Sequence, residues 1–581
     1  MNNRLPFLAA LLLLISVVAH SQNWSTTGGS PERNGISISF GPAGVTAPAW
    51  EVTDAASTMW GNAIFTIHDR FATSRVTFSP AYRVTVECRR LSDGSLIWEK
   101  DLQGESKLYV VGMTEDAVYV HDYATDSLYA FNPDDGAVKW VCPEKATIFG
   151  GAHGILFTCE GDPVVNGPGL YQESLMRLDR RTGQPVWFNT NLVSVGPAPD
   201  FCIFGDRLYK WEGAIGAPTH LVAIDLNTGE NLFYSEEIPG EALQEMPLTA
   251  GPDGTIYGQR DGGDLWAITD EGSSFSVKWT YTPEISGMGT FGNIAVGPDG
   301  SVYFGDGCYI RRLDPEDGTL LNSSIALCSD LMPGIYIVTD RNGTVYVSNC
   351  QTAEGKYFAF SPDLQTQYWS KPVFYNHYAG PQISRNGLLI TAGSGTKITA
   401  YAPPSSLPPC SWFAADTNII PEGGSVTFTD ESSFQPVTWE WTFEGGNPSS
   451  SFLQNPEPVV YASPGIYPVT LTTSNAQGSH TVTRNCYITV DAVQAVSEPD
   501  RPERLLVSPN PSDGYFSIQA EEKLSRGTRI VITDLHGRLV YETTWALEGS
   551  RIDLRGKITR GLYYIRCVSD RTSLSGKLVI R

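Results

Sequence analysis

A tight turn that returns every 42 to 47 residues constrains this chain more than any other feature. Its clearest copy is Ser174–Trp187, SLMRLDRRTGQPVW: an alternating strand, a turn at Thr182-Gly183, and a second strand opening on an aromatic residue. The alternation gives one buried face, and a glycine supplies the positive φ that a tight turn often needs. The turn positions are Gly94, Gly136, Gly183, Gly229, Gly272, Gly318 and Gln365, with gaps of 42, 47, 46, 43, 46 and 47 residues. Trp98, Trp140, Trp187, Phe233 and Trp369 each lie four residues after a turn position. The copy ending at Trp279 is three residues longer, the copy after Leu313 lacks the aromatic, and an eighth copy from Lys397 breaks off in prolines. Ahead of most copies sits a second alternating piece behind an Asp-Gly or Asn-Gly turn, as in PDGTIYG from Pro252, PDGSVYFG from Pro298 and RNGTVYVS from Arg341. That is a second hairpin, so one repeat makes one four-stranded blade. A lone blade cannot bury both faces, and the period is that of a β-propeller. Eight blades are expected, with seven as the alternative.

At 581 residues the chain exceeds one hydrophobic core, so several domains are expected. Its 57 Gly, 38 Pro and only 18% charged residues suit a turn-rich all-β protein. The net charge of −23 divides into −27 over residues 1–504 and +4 over residues 505–581. An acidic body is repelled by phosphate backbones, which argues against a nucleic-acid partner. Residues 1–21 read as a secretory signal peptide: Arg4, an apolar run from Leu8 to Ala19, then Ala19-His20-Ser21. Cleavage is expected between Ser21 and Gln22. No later run of 18 apolar residues is present to span a membrane.

Residues 22–402 carry the repeats. The opening WSTTGGSPERNGI from Trp24, followed by turns of the form Asp-x-x-Thr-Gly-x-x-x-Trp, resembles the quinoprotein-like (PQQ-like) propeller family. The resemblance implies that Trp98, Trp140, Trp187, Trp279 and Trp369 dock one blade on the next. It also implies that the strand around Trp24 closes the ring, hiding sheet edges that invite aggregation. The family holds both quinone- and calcium-dependent dehydrogenases and non-catalytic platforms such as the outer-membrane assembly lipoprotein. The dehydrogenase site uses a ring of adjacent cysteines. No two cysteines adjoin here, and no Glu-Asn-Asp calcium set can be placed. No lipoprotein cysteine follows the signal either. The propeller is therefore expected to be a platform without catalytic, cofactor-binding or metal residues.

Residues 403–409 are a stiff proline-rich linker. Residues 410–491 resemble the PKD family, an immunoglobulin-like β-sandwich, through Trp441-Thr442-Phe443-Glu444-Gly445-Gly446 and the run Tyr461–Val469, YASPGIYPV. Glu444 and Gly446 depart from the family's Gly and Asp. Cys410 and Cys486, at the two ends of this unit, are expected to form a disulfide, with two free thiols as the alternative. Residues 492–504 are a second linker. Residues 505–581, a small β-sandwich, resemble the C-terminal sorting domain of type IX secretion substrates. The matching pieces are Ser508-Pro509-Asn510-Pro511, Asp534-Leu535-His536-Gly537-Arg538, Gly561-Leu562-Tyr563-Tyr564 and Lys577-Leu578-Val579-Ile580. That resemblance implies a partnership with the type IX machinery and delivery to the cell surface through the periplasm of a Gram-negative bacterium.

Motifs for chemistry are sparse. The eight histidines are scattered, with no His-Glu-x-x-His and no Gly-x-Ser-x-Gly elbow. Gly287-Met288-Gly289-Thr290-Phe291-Gly292 fits a dinucleotide pattern, but the strand after it offers no helix N-terminus for a pyrophosphate. Asp134 and Asp135, and Asp314, Glu316 and Asp317, lie at hairpin turns, where acids serve turn geometry more often than calcium. Cys142 with Cys159, and Cys308 with Cys328 or Cys350, are disulfide candidates. The expected function is a secreted binding or adhesion protein that uses the propeller to recognise a polysaccharide or protein, with the PKD unit as spacer or adhesive module. The alternative is an extracellular enzyme, a quinone-dependent oxidoreductase or a polysaccharide hydrolase, with its site in the funnel.

Overall fold

The computed structural model describes residues 29–492 and 505–581, apart from 45–46, 55–57, 61–63, 78–81, 102–107, 147, 149–154, 169–173, 193–200, 214–218, 240–247, 261–262, 285–290, 330–333, 350–354, 374–379, 393–396, 520–527, 535–537, 546–550 and 569–572. Ser21, Gln22 and Trp24, and nearly all of the second linker, lie outside these residues. The described residues form strands and turns throughout, with no helix. Met1–Asp491 and Ala492–Arg581 are two compact units.

Between Trp50 and Tyr401 eight sheets of four or five strands succeed one another, antiparallel except where Phe291–Gly292 pairs parallel with Gly334–Thr339. Sheet 1 runs from Thr58–Trp60 to Leu96–Lys100, and sheet 2 from Leu108–Met113 to Val138–Val141. Sheets 3 to 7 follow, ending at Asn189, Tyr234, Tyr281, Ser323 and Pro372. Sheet 8 takes Gln382–Ile383, Leu389–Thr391 and Lys397–Tyr401, and completes itself with Trp50–Thr53 from the other end of the repeats. Eight apolar clusters fill the spaces between consecutive sheets. The cluster of Ile64, Phe71, Ile390, Ile398 and Trp50 joins sheet 8 back to sheet 1, so the sheets form a closed ring.

The aromatic period explains how the sheets meet. Four of the tryptophans lean on the turn glycine of the following sheet: a Cβ on Gly136, Gly183, Gly229 or Gly318 would stand 2.4–2.7 Å from the ring of Trp98, Trp140, Trp187 or Trp279. The indole N–H then donates across the boundary to a carbonyl at 2.9 Å, from Trp98 to Pro133, Trp140 to Arg180, Trp187 to Leu226 and Trp279 to Pro315. Glycine is required twice over, for its left-handed φ (+69° at Gly183) and for the room the indole takes. Sheet 6 has Asn322 where the aromatic belongs, and the next turn has Gln365 where the glycine belongs. With no indole to receive, that turn takes its left-handed residue one position earlier, at Leu364, which is buried.

The closing strand is Trp50–Thr53, which corrects the expectation of closure around Trp24. Closure needs an alternating strand and an indole placed to meet the next turn. Trp50 lies 48 residues before Trp98, leans on Gly94 and donates to the Leu91 carbonyl at 2.9 Å. Residues 29–42 do something else, described below.

Within 410–491, a five-stranded and a three-stranded sheet enclose Trp412, Phe413, Phe428, Trp441, Phe443 and Tyr461. Trp441 and Phe443 of the sequence motif thus stand at the centre of the sandwich. The unit after 492 packs a three-stranded against a four-stranded sheet around Phe516, Ile532, Trp545 and Ile565. Its Asn510 is bonded to the last strand, accepting from the Val579 amide at 2.8 Å.

The Trp187–Gly229 contact can be tested by double substitution in urea unfolding of the full chain. Trp187→Ala is expected to cost about 3–5 kcal/mol, as for a buried large-to-small change. Gly229→Ala is expected to cost more than about 1 kcal/mol alone and clearly less in the Trp187→Ala background. Additive costs would show that the two residues are not in contact.

Candidate functional site on the open face

In an antiparallel meander the first and third hairpin turns of each sheet lie on one face of the ring. The second turns and the sheet-to-sheet connections lie on the other. The two faces differ sharply.

The first face is covered. Residues 30–42 run as a buried strap over the inner strands, exchanging backbone hydrogen bonds with them. The Pro31, Glu32 and Asn34 carbonyls accept from the amides of Ile203, Ala250 and Val296 in sheets 4, 5 and 6, and Gly35, Ser37 and Ser39 bond to Thr339 and Arg341 of sheet 7, at 2.8–3.0 Å. This explains the Arg-Asn-Gly motif. Arg33, fully buried, donates from Nε to the Phe201 carbonyl at 2.9 Å. Gly35 has φ +66°, and a Cβ there would lie 2.9 Å from the Ile337 carbonyl oxygen. The buried Asp340 carboxylate accepts from the Gly41 amide at 2.9 Å, and Trp369 donates to the Pro42 carbonyl at 2.8 Å.

The PKD unit lies over the strap and the remaining sheets. Ile38 packs against the PKD core, and Phe40 meets Phe434 edge-on at 6.1 Å. Arg341 of sheet 7 donates to the Pro409 and Ser479 carbonyls at 2.9 and 3.1 Å. A charge network crosses the boundary at the first turns of sheets 1, 2 and 8. His68 Nδ1 is 2.8 Å from Glu431, which also pairs with Arg385, while Arg484 reaches Glu115 at 2.7 Å. Burial alone would raise the Glu431 carboxyl, but the His68 hydrogen bond and the Arg385 charge outweigh it and hold it at about 2. At sheet 3 the link is covalent, a Cys159–Cys486 disulfide 327 residues apart in sequence.

That disulfide corrects the expected Cys410–Cys486 pairing. Cys410 is a buried free thiol, its sulfur 3.8 Å from the Ile38 carbonyl, because it faces the strap while Cys486 faces sheet 3. Cys142, expected as a partner for Cys159, is also a free thiol, and Cys308 pairs with Cys328. Cys350 and Gly287–Thr290 lie outside the described residues. The linker 403–409 is likewise held: Asn475 donates to the Leu407 carbonyl at 2.9 Å. The PKD unit is thus docked on the propeller and is not spaced away from it.

The opposite face carries a buried polar collar. At or one residue past the end of the second strand, sheets 2 to 7 place Asp122, Asn166, Glu212, Arg260, Asp306 and Asn349, one per sheet, all with at most 6% exposure. Asp122 accepts from the Ala124 amide and the Thr125 hydroxyl, and Asp306 from Arg311 Nε at 2.8 Å. Arg260 lies 4.5 Å over the Trp211 ring. Asn349 donates to the Leu327 carbonyl at 3.0 Å. Their spacing of 43 to 48 residues is the repeat period, a signal visible in sequence once the strand ends are known.

Whether the collar suits a quinone with calcium is a matter of donors. Among the described residues neither disulfide joins neighbouring cysteines, and the one trio able to converge on a metal is Cys159, Glu160 and Cys486, where both sulfurs are already bonded to each other. These residues do not fit that group. Asp134, Asp314 and Asp317 stand at first-face turns, where Asp314 and Asp317 accept backbone amides at 2.8 and 2.9 Å.

Residues 412–488 match the PKD domain, 506–581 the secretion system C-terminal sorting domain, and 49–281 the outer membrane protein assembly factor BamB. The chain joins a BamB-like propeller to a PKD domain and a secretion sorting domain. No curated protein matches it. Among solved structures it resembles the quinohemoprotein alcohol dehydrogenase of Comamonas testosteroni at 12% identity and a TM-score of 0.51, over 68% of this chain and 83% of that one. The quinohemoprotein alcohol dehydrogenase ADHIIG of Pseudomonas putida HK5 gives 15% and 0.48, over 66% and 80%. BamB of Moraxella catarrhalis gives 16% and 0.38, over 57% and 94%. At such identity the likeness is one of fold alone. The sorting domain marks the chain for secretion, and no helix among the described residues is long and apolar enough to cross a membrane.

The clamp gives a pH prediction. Because the folded Glu431 carboxyl sits below its ordinary value of 4.5, its contribution to docking is complete above about 4.5 and is lost as pH falls toward about 2. Glu431→Gln is expected to flatten that loss in acid-unfolding curves. Peptide mapping without reductant is expected to link Cys159 to Cys486; a Cys410–Cys486 peptide would overturn the assignment.

Proposed function

We propose that the chain is a secreted, surface-delivered binding protein without catalytic activity, whose open propeller face recognises a polysaccharide or a protein. The signal segment, cleaved between Ser21 and Gln22, takes it to the periplasm, and residues 505–581 engage the type IX machinery. One observation carries this reading: strap and PKD domain together meet all eight sheets on one face, which turns recognition to the other. Trp98, Trp140, Trp187, Trp279 and Trp369 serve rigidity in this reading, holding the sheets at fixed spacing. No cofactor is required.

A second reading, an extracellular enzyme in the open mouth, draws on the buried ionisable residues of the collar. Thermal unfolding of the secreted chain with and without pyrroloquinoline quinone plus calcium separates the two. A ligand at 100 times its Kd stabilises by about 2.7 kcal/mol. The binding reading expects no saturable rise in Tm and no reducing-sugar release from soluble polysaccharides. Either signal would favour the enzyme.

A further inference from the structure

A cluster of neutral hydrogen-bonding groups lies on the face opposite the PKD domain, at sheets 1 to 3. Tyr82, in the second turn of sheet 1, reaches Tyr109 on the innermost strand of sheet 2, with their hydroxyls 3.0 Å apart. Tyr123, in the second turn of sheet 2, belongs to the same cluster and stands edge-on to the His121 ring at 6.3 Å. His121 pairs across the strands with Tyr109, so both side chains share one face. Tyr82 and Tyr123 are 50% and 43% exposed. His121 is 1% exposed, with the Ala146 backbone beside its ring, and Asn166 on the adjacent collar is fully buried with neither amide atom bonded among the described residues. A native structure seldom leaves such groups unmatched.

We propose that Tyr82, Tyr109 and Tyr123, backed by His121, form a subsite for a neutral sugar ring of a glycan. This rests on the binding reading above and names its ligand class. Aromatic rings offer a face for the C–H side of a pyranose, and tyrosine hydroxyls both donate and accept, as sugar hydroxyls demand. Burial raises the pKa of Tyr109, keeping its hydroxyl protonated. An anionic ligand would meet the net −27 of residues 1–504. A cationic one would find the nearest buried carboxylate, Asp122, already accepting from Ala124 and Thr125.

The test is calorimetric titration of the full secreted chain with cellohexaose, chitohexaose and maltohexaose. At least one is expected to bind. Tyr82→Ala and Tyr123→Ala are each expected to weaken it about five- to tenfold, the loss of one stacking contact. Tyr109→Phe, which keeps the ring, is expected to weaken it by removing the hydroxyl. Tyr368→Ala, on the outer strand of sheet 7 and 44% exposed, is expected to leave it unchanged. Near-ultraviolet circular dichroism of each variant verifies folding. Glycan binding that the three tyrosine variants leave unchanged would overturn the subsite while the binding reading stands. Binding of none of the three sugars would overturn the glycan class, and a peptide bound at this face instead would do the same.

Discussion

The ring depends on one contact, repeated: an indole pressed on a glycine across the boundary between two sheets. A twisted four-stranded sheet has two apolar faces and no means of covering either by itself. Burying both requires neighbours at a fixed offset, and the indole sets it. Its flat ring fits only where the next turn has no Cβ, and its N–H finds a carbonyl only in that register. The contact therefore selects position as well as adding burial. Where no aromatic stands, at Asn322, the glycine at the next turn is missing too, whereas after Phe233 the glycine is kept, at Gly272, with open space above it.

A ring built this way has two mouths, and this chain covers one of them. The strap satisfies inner-strand backbone groups that would otherwise face the axis, since a buried unpaired amide is costly. The PKD domain covers the strap and supplies its own apolar edge to Ile38. The polar groups at this boundary are paired across it, the Glu431 carboxylate with Arg385 and with a hydrogen-bonded His68, Arg484 with Glu115. Removing either partner would strand a partly buried charge, which makes the docking specific. The disulfide adds about 2–5 kcal/mol by closing a long loop in the unfolded chain, and it suits a protein bound for an oxidising compartment.

Much of this was legible in the sequence because the repeat is local. Turn glycines, aromatic spacing and paired hairpins all act within about fifty residues, and periodicity reports them directly. The PKD and sorting motifs are local as well. What stayed hidden is long-range. Nothing near Trp24 or Trp50 says which strand closes the ring, although Trp50 keeps the aromatic period. Cys410 and Cys486 bracket one domain, which made them look like natural partners, but the docking turns Cys486 toward Cys159 of sheet 3. The collar was invisible for another reason. Its residues differ in type from sheet to sheet, Asp, Asn, Glu, Arg, Asp, Asn, so only their place at a strand end unites them.

Docking also decides how the modules can act together. Two domains on a flexible tether gain avidity when each finds its own site on one ligand, because the tether sets an effective concentration. Here the proline-rich stretch is bonded to the PKD domain through Asn475, and Cys486 is bonded to the propeller. The two modules then move as one body, and the PKD domain cannot search independently of the ring. Any ligand touching both must match a fixed geometry, which favours selectivity over reach. On the binding reading proposed above, recognition is concentrated on the mouth opposite the PKD domain, where exposed tyrosines and buried polar groups meet on strands that the indole contacts hold in place.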